Sequence, residues 1–299
     1  MPVSYAMTTA ADGTLLQTWS NDGTGLPVVI SNGLGSPPAA WPSIVDPNSG
    51  FRVVTWYQRG LGGSERPRDE TAIRIEDHAD DLRSIMDAAG MDRALLLGWS
   101  VGVNIAFEFA ARHPDRAAGI LGVAGVPGGS LRGMYGSMGL PGPLREPVGA
   151  FSAYLLRHAG PLVNAVAGLL PLSHHPLSPS GVGVVVREAR HTEAVLSVLR
   201  TFARHDWPWY SQLVLAAGKQ PPMDVSQVRC PTTLLAGRHD SITAYEDVVA
   251  VGKRMPDARV KVMPAGTHFL PLQYPDELLD ELRALARRSD LLPGPAAKN

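Results

Sequence analysis

The 299-residue sequence predicts an α/β fold: a mostly parallel, twisted sheet with helices on both faces and a helical, loop-rich insertion. Three observations lead there. Short β-rich runs alternate with longer helical patterns, most of those runs are continuously apolar, and the alternation breaks once, between about residues 127 and 225. A parallel sheet covered by helices needs strands that are apolar on both sides, whereas a half-exposed sheet alternates apolar with polar residues.

At the N-terminus, Asp12-Gly13 precedes "TLLQTW" (14–19), the pattern of an antiparallel hairpin. The remaining strands are expected at "PVVIS" (27–31), "FRVVTWY" (51–57), "ALLLGW" (94–99), "AAGILGVAG" (117–125), "TTLLAG" (232–237) and "RVKVM" (259–263). Helical patterns fall at about 75–89, 101–112, 243–254 and 275–288. Thr243-Ala-Tyr-Glu246 has the spacing of a capping box, and Pro275-Asp-Glu suits a first helical turn. From about 127 to 225 proline, glycine, methionine and helical patterns replace the strand signal, and the β/α rhythm resumes at "CPTTLLAGRHD". Residues 1–126 and 226–288 are therefore expected to form one core domain, 127–225 a cap inserted into it, and 289–299 a frayed tail.

Composition narrows the partners. A hydrophobic content of 44% supports a large core, and a net charge of −1 leaves no basic face to neutralise phosphates, so neither nucleic acid nor an anionic membrane is expected. The single cysteine, Cys230, excludes an internal disulfide framework; just ahead of a strand, it is expected to be buried and inert. The first residues, MPVSYAMTTAADG, carry neither the positive charges nor the apolar run of a secretory signal, and a cytoplasmic protein is expected. The apolar stretch "LLRHAGPLVNAVAGLLPL" is interrupted by Arg157, His158 and Asn164, short of the ~20 apolar residues that span a bilayer. Oligomeric state has no signature in the sequence.

The chemistry begins with "LLLGWSVGVN" (95–104). A strand ending at Trp99 and a helix starting at Val101 leave Ser100 alone on the turn, above the carboxyl end of the sheet, where open α/β sheets bind ligands. Such a turn strains the nucleophile's backbone and brings strand and helix so close that side chains at Gly98 or Gly102 would collide. A serine hydroxyl attacks only if a base takes its proton. His268, between the last strand and the last helix, is the candidate base. His78 and His113, on helices beside charged residues, are expected at the surface or at helix ends, and His174, His175 and His205 belong to the cap. Asp240, directly after the strand 232–237, is the candidate acid; Thr243 and Glu246 would cap the next helix and leave it free to orient the imidazole. The oxyanion formed by attack needs preorganised donors, and the turn "SNGLGS" would offer the Leu34 N–H opposite that of Val101, with Asn32, Gly33 and Gly35 shaping the loop. A dinucleotide loop would need glycine at position 38, where Pro38 stands, and neither a Walker A sequence nor H-E-x-x-H is present, so no cofactor and no metal is expected.

With the serine, acid and histidine in this chain order, the sequence resembles the α/β-hydrolase superfamily of the esterase, lipase and cofactor-free haloperoxidase type, from about residue 10 to 288 apart from the cap. "GWSVG" resembles the nucleophile elbow, "YQRGLGGSERP" the loop after the fourth strand with Arg59, Gly60, Gly62 and Ser64 in place, "LLAGRHD" the acid-bearing strand end, and "GTHF" the histidine loop. The oxyanion turn departs from the family, beginning with Asn32 where histidine is frequent. The resemblance implies that relatives acting on haloalkanes and epoxides carry aspartate at the elbow. Ser100 instead implies an acyl ester, and a carboxylic ester, lactone or thioester as substrate. Carbon–carbon hydrolysis, perhydrolysis with peroxide in place of water, and a ligand-binding receptor with weak hydrolysis are the alternatives. The expected partner is a small, largely apolar, ester-like molecule. The cap offers Met134, Tyr135, Met138, Phe151, Tyr154, Phe202, Trp207, Trp209, Tyr210 and Met223 to roof a pocket, of which no more than about a third should touch ligand because most pack the cap's own core. Trp99, Met134, Met138, Tyr154, Trp207 and Phe269 are the expected lining.

Overall fold

Continuous apolar strands produce the sheet that they predict. The computed structural model describes residues 3–169 and 192–291. Eight strands, β1 (Ser4–Thr9), β2 (Leu15–Ser20), β3 (Leu26–Ser31), β4 (Phe51–Trp56), β5 (Ala94–Trp99), β6 (Ala117–Val123), β7 (Thr232–Gly237) and β8 (Ala258–Met263), form one sheet in the order β1-β2-β4-β3-β5-β6-β7-β8. β2 runs antiparallel to β1 and β4, and every later pairing is parallel. The hairpin turns at Gly13, with φ of 86°, where the Asp12 carboxylate accepts the Thr14 N–H. β6 stops two residues earlier than its apolar run because Ala124, with φ of 49°, turns the chain out of the sheet.

Side-chain alternation divides the core. Val28, Ile30, Leu95 and Leu97 face one side of the sheet, against Trp41 and the last helix; Val29 and Leu96 face the other, against the first two helices. Those are α1 (Ile75–Ala88) and α2 (Val101–Arg112), while α8 (Pro275–Arg288) buries Leu278, Leu282 and Leu285 at helical spacing. Between them lie α6 (Tyr245–Gly252) and the short α7 (Leu270–Gln273). Cys230 is partly buried, which pushes its thiol up to about 11 and keeps it protonated at neutral pH. No helix among the described residues is long and apolar enough to cross a membrane.

The break in the β/α rhythm is a helical insertion between β6 and β7, containing α3 (Gly142–Leu169), α4 (Thr192–Ala203) and α5 (Trp207–Gly218). His174, His175 and residues 292–299 of the expected tail lie outside the described residues. The loop after β4 buckles the insertion to the core. The indole Nε1 of buried Trp209 donates to the Arg59 carbonyl at 2.8 Å, and the Arg66 guanidinium lies 4.5 Å from the centre of its ring. Gly60, with φ of 73°, lies so close beneath that indole that a Cβ would overlap it. The Arg59 guanidinium, itself buried, reaches both oxygens of the fully buried Asp81 at 2.9 and 2.7 Å, and also Asp12 and the Ala72 carbonyl. Burial disfavours its charge, but the two carboxylates outweigh that and raise its pKa. His113 sits at the C-terminal end of α2, as expected, but His78 is buried, its Nδ1 3.4 Å from Asp81, because its helix presses that face onto the Arg59 cluster.

Removing the guanidinium strands a buried carboxylate, so Arg59→Ala is expected to cost about 3–5 kcal/mol in equilibrium unfolding. A loss below about 1 kcal/mol would contradict this account of the buckle.

Candidate active site

β5 delivers Ser100 into a turn that few side chains adopt. Its φ and ψ are 56° and −123°, a strain of ~1–3 kcal/mol for a non-glycine residue. Close backbone approach on both sides holds it. A Cβ on Gly98 would come 2.7 Å from the Gly102 carbonyl oxygen, and one on Gly102 would overlap the carbonyl of Ser31, at the end of β3. Ser31 pairs with Gly98 in the parallel register, and β3 and β5 are where the strand order reverses direction. The serine therefore stands over the switch-point crevice, where ligands of such sheets bind.

Three strand ends meet there. His268 Nε2 lies 3.0 Å from Ser100 Oγ, and His268 Nδ1 lies 2.9 Å from Asp240 Oδ2. Asp240 is 1% exposed and His268 8%, so this chain of hydrogen bonds is largely shielded from water. The other oxygen of Asp240 accepts the N–H groups of Ile242 and Thr243, both at 2.8 Å. The expected capping box is absent for that reason: α6 starts behind Ala244, which provides no side-chain cap, and the Thr243 hydroxyl donates to the Ala124 carbonyl. Asp240 thus turns the loop and faces the imidazole at once. The histidine loop is tied to the acid loop by His239 N–H to the Gly266 carbonyl (2.8 Å) and to β5 by Trp99 Nε1 to the His268 carbonyl (2.9 Å).

The N–H groups of Leu34 and Val101 donate to nothing among the described residues, and both residues line the same cavity as Ser100 and His268. Gly33 passes under the Trp99 ring. Asn32 is buried; its Nδ2 donates to Thr55 Oγ1 (2.9 Å) and its Oδ1 accepts from Trp41 Nε1 (2.6 Å), which anchors the start of the loop without a histidine. Gln58 completes the attachment, donating to the Asn32 carbonyl and accepting from the Gly35 N–H. The sequence left open how this loop is held. Such an arrangement can draw a proton from an alcohol to an imidazole and can offer two donors to an oxyanion.

The cavity over Ser100 has a volume of about 310 Å³. Trp99, Met134 and Phe269 line it, as does the expected oxyanion loop. Met138, Tyr154 and Trp207 do not. Met138 is 71% exposed, Tyr154 is more than half exposed with its ring against His158 on α3, and Trp207 packs behind the wall on Phe202 and Tyr210. Of the ten aromatics and methionines of the insertion, Met134, Tyr135, Phe202 and Tyr210 line the cavity.

The sequence profile of the alpha/beta hydrolase fold family matches residues 27–275. The chain belongs to that family. Epoxide hydrolase B of Mycobacterium tuberculosis is 39% identical over 113 residues, which cover 38% of this chain and only 30% of that protein. A protein assigned as carbamate hydrolase RutD, from Caulobacter sp. strain K31, is 26% identical over 255 residues, 83% of this chain and 86% of that one. Among solved structures, an esterase (EaEST) from Exiguobacterium antarcticum matches with a TM-score of 0.72 at 16% identity, covering 93% of this chain and 98% of that one, a likeness of fold.

One titratable group of the insertion presses on this site. The His205 ring stacks on Tyr210 (centroids 5.1 Å, 21° between planes), meets Phe202 edge-on and lies against Gly35, where a Cβ would overlap it. Burial pushes its pKa down from 6.5 to about 4. Above about pH 6.5 folded and unfolded chains both hold it neutral; as the pH falls toward 4 the unfolded chain binds a proton that the folded one refuses, which removes up to about 3 kcal/mol of stability. The melting temperature should fall from pH 7.5 to 5, and His205→Phe should flatten that fall. An identical fall in the variant would contradict the assignment.

Proposed function

We propose that the chain is a serine hydrolase that cleaves a carboxylic ester, lactone or thioester of a small, largely apolar substrate through an acyl-enzyme on Ser100. The observation that carries this reading is the hydrogen-bonded series Asp240–His268–Ser100, at 2.9 and 3.0 Å, beneath a cavity walled by Trp99, Phe269, Leu131 and Phe202. With the carbonyl seated over the elbow, Ser100 Oγ attacks while His268 Nε2 takes its proton. Asp240, fixed by two backbone N–H groups, holds the imidazole with Nδ1–H toward it and stabilises the imidazolium. The Leu34 and Val101 N–H groups receive the oxyanion, His268 returns its proton to the departing alcohol, and water enters by the same route to release the acid.

Two relatives suggest other reactions. Opening an epoxide by a serine oxygen would give an ether that a carbonyl-directed site cannot hydrolyse, so the match to the epoxide hydrolase supports shared scaffolding rather than shared chemistry. Carbamate hydrolysis, assigned to the RutD relative, is acyl transfer too; the apolar lining favours a hydrocarbon acyl group over that small polar anion.

A fluorophosphonate probe should label folded protein at Ser100, and Ser100→Ala should abolish labelling and lower ester hydrolysis by at least about a thousandfold, with His268→Ala close behind. Failure of Ser100 to label would overturn the reading. Across p-nitrophenyl esters, kcat/KM should peak at a short or medium acyl chain; equal turnover of acetyl and long-chain esters would contradict a cavity of this size.

A further inference from the structure

The backbone of the oxyanion loop is spanned from the core by the Gln58 side chain. Gln58 is fully buried two residues beyond the end of β4, and its primary amide spans the loop: Nε2 donates to the Asn32 carbonyl at 2.7 Å, and Oε1 accepts from the Gly35 N–H at 3.1 Å. Those two peptide groups bracket Gly33 and Leu34, so the bracket fixes the peptide plane that carries the Leu34 N–H. From the other side the His205 ring closes on Gly35, and the Ser36 N–H bonds back to the Gly33 carbonyl at 3.1 Å. Here a planar group with one donor end and one acceptor end matches a loop that offers one acceptor and one donor.

We propose that Gln58 is a positioning residue for this reaction: by bracketing the oxyanion loop it aims the Leu34 N–H at the oxygen that becomes negative during attack. This rests on the serine-hydrolase reading. Gln58 touches no reacting atom, so its removal should cost transition-state stabilisation rather than ground-state binding. Glutamate at this position has the same shape but, when ionised, two acceptors; one would face the Asn32 carbonyl and push the loop away. When protonated, its hydroxyl can donate to Asn32 while its carbonyl accepts from Gly35, and the bracket is restored. A carboxyl buried there is held toward its protonated form.

The experiment compares wild type, Gln58→Glu and the apolar, similarly shaped Gln58→Met in the full chain, using steady-state p-nitrophenyl ester hydrolysis from pH 5.5 to 9, fluorophosphonate labelling rates and thermal melting. At pH 8.5 both variants should lose about tenfold to a hundredfold in kcat with KM within about twofold, less than the 10²–10³ lost when an oxyanion donor is removed outright. As the pH falls, the ratio of Gln58→Glu to wild-type kcat should rise at least about fivefold, while that of Gln58→Met stays level. A merely structural role would leave that ratio flat in both. If either folded variant keeps kcat within twofold of wild type at pH 8.5, or if the Gln58→Glu ratio does not change with pH, the proposal is overturned; should one variant fail to fold, the other decides. If wild type itself is not labelled at Ser100, the serine-hydrolase reading fails first and this one with it, whereas equal labelling of wild type and variants sinks only the role of Gln58.

Discussion

The site depends on one backbone constraint, the approach of α2 to the end of β3. Gly102 lies so close to the Ser31 carbonyl that no side chain fits, and Gly98 is nearly as tight against the Gly102 carbonyl. That closeness forces Ser100 into its positive φ, lifts its hydroxyl off the sheet and brings the first N–H of α2 beside the loop that leaves β3. Helix N-termini and glycine-lined turns both present unpaired N–H groups, and here the two are brought to one cavity. Glycine at 98 and 102 is thus a steric requirement of the proposed oxyanion site as much as of the proposed nucleophile.

Around this constraint the neighbouring loops are locked to one another. Asp240 satisfies three groups with one carboxylate, and the acid and histidine loops are joined through backbone hydrogen bonds, so the imidazole has little freedom to swing from Ser100. The insertion is attached through Trp209 on Arg59 and the buried Asp81 pair, and it lowers His205 onto the proposed oxyanion loop. The loop therefore lies between a polar bracket from the core and an aromatic ring from the insertion. The fold that sets this geometry is shared with proteins at 16–26% identity, while the cavity is lined about equally by the core and by the insertion.

Most of the fold was legible because its signals are local. Seven apolar runs became strands with ends shifted by two residues at most, and the elbow declared itself through the glycines around Ser100. Asp240 and His268 could be singled out because each follows a strand that must end at the same edge of a parallel sheet. What escaped depends on contacts distant in sequence. Nothing near His78 announces Arg59, nothing near Asn32 shows that Gln58, 26 positions on, would bind its carbonyl, and the Thr243–Glu246 spacing could not show that Asp240 would take the Thr243 N–H first. In the insertion, composition named the aromatic residues without saying which way each faces; Trp207 and Phe202 touch, yet only Phe202 lines the cavity.

Trapping the covalent intermediate tests the central claim most directly. Wild-type protein mixed with p-nitrophenyl trimethylacetate, whose hindered acyl group leaves slowly, would be acid-quenched within the first turnover, digested and examined by mass spectrometry. The account predicts a burst of one p-nitrophenolate per chain and a single trimethylacetyl adduct on the peptide containing Ser100. Turnover with no adduct, or an adduct on another residue, would contradict it.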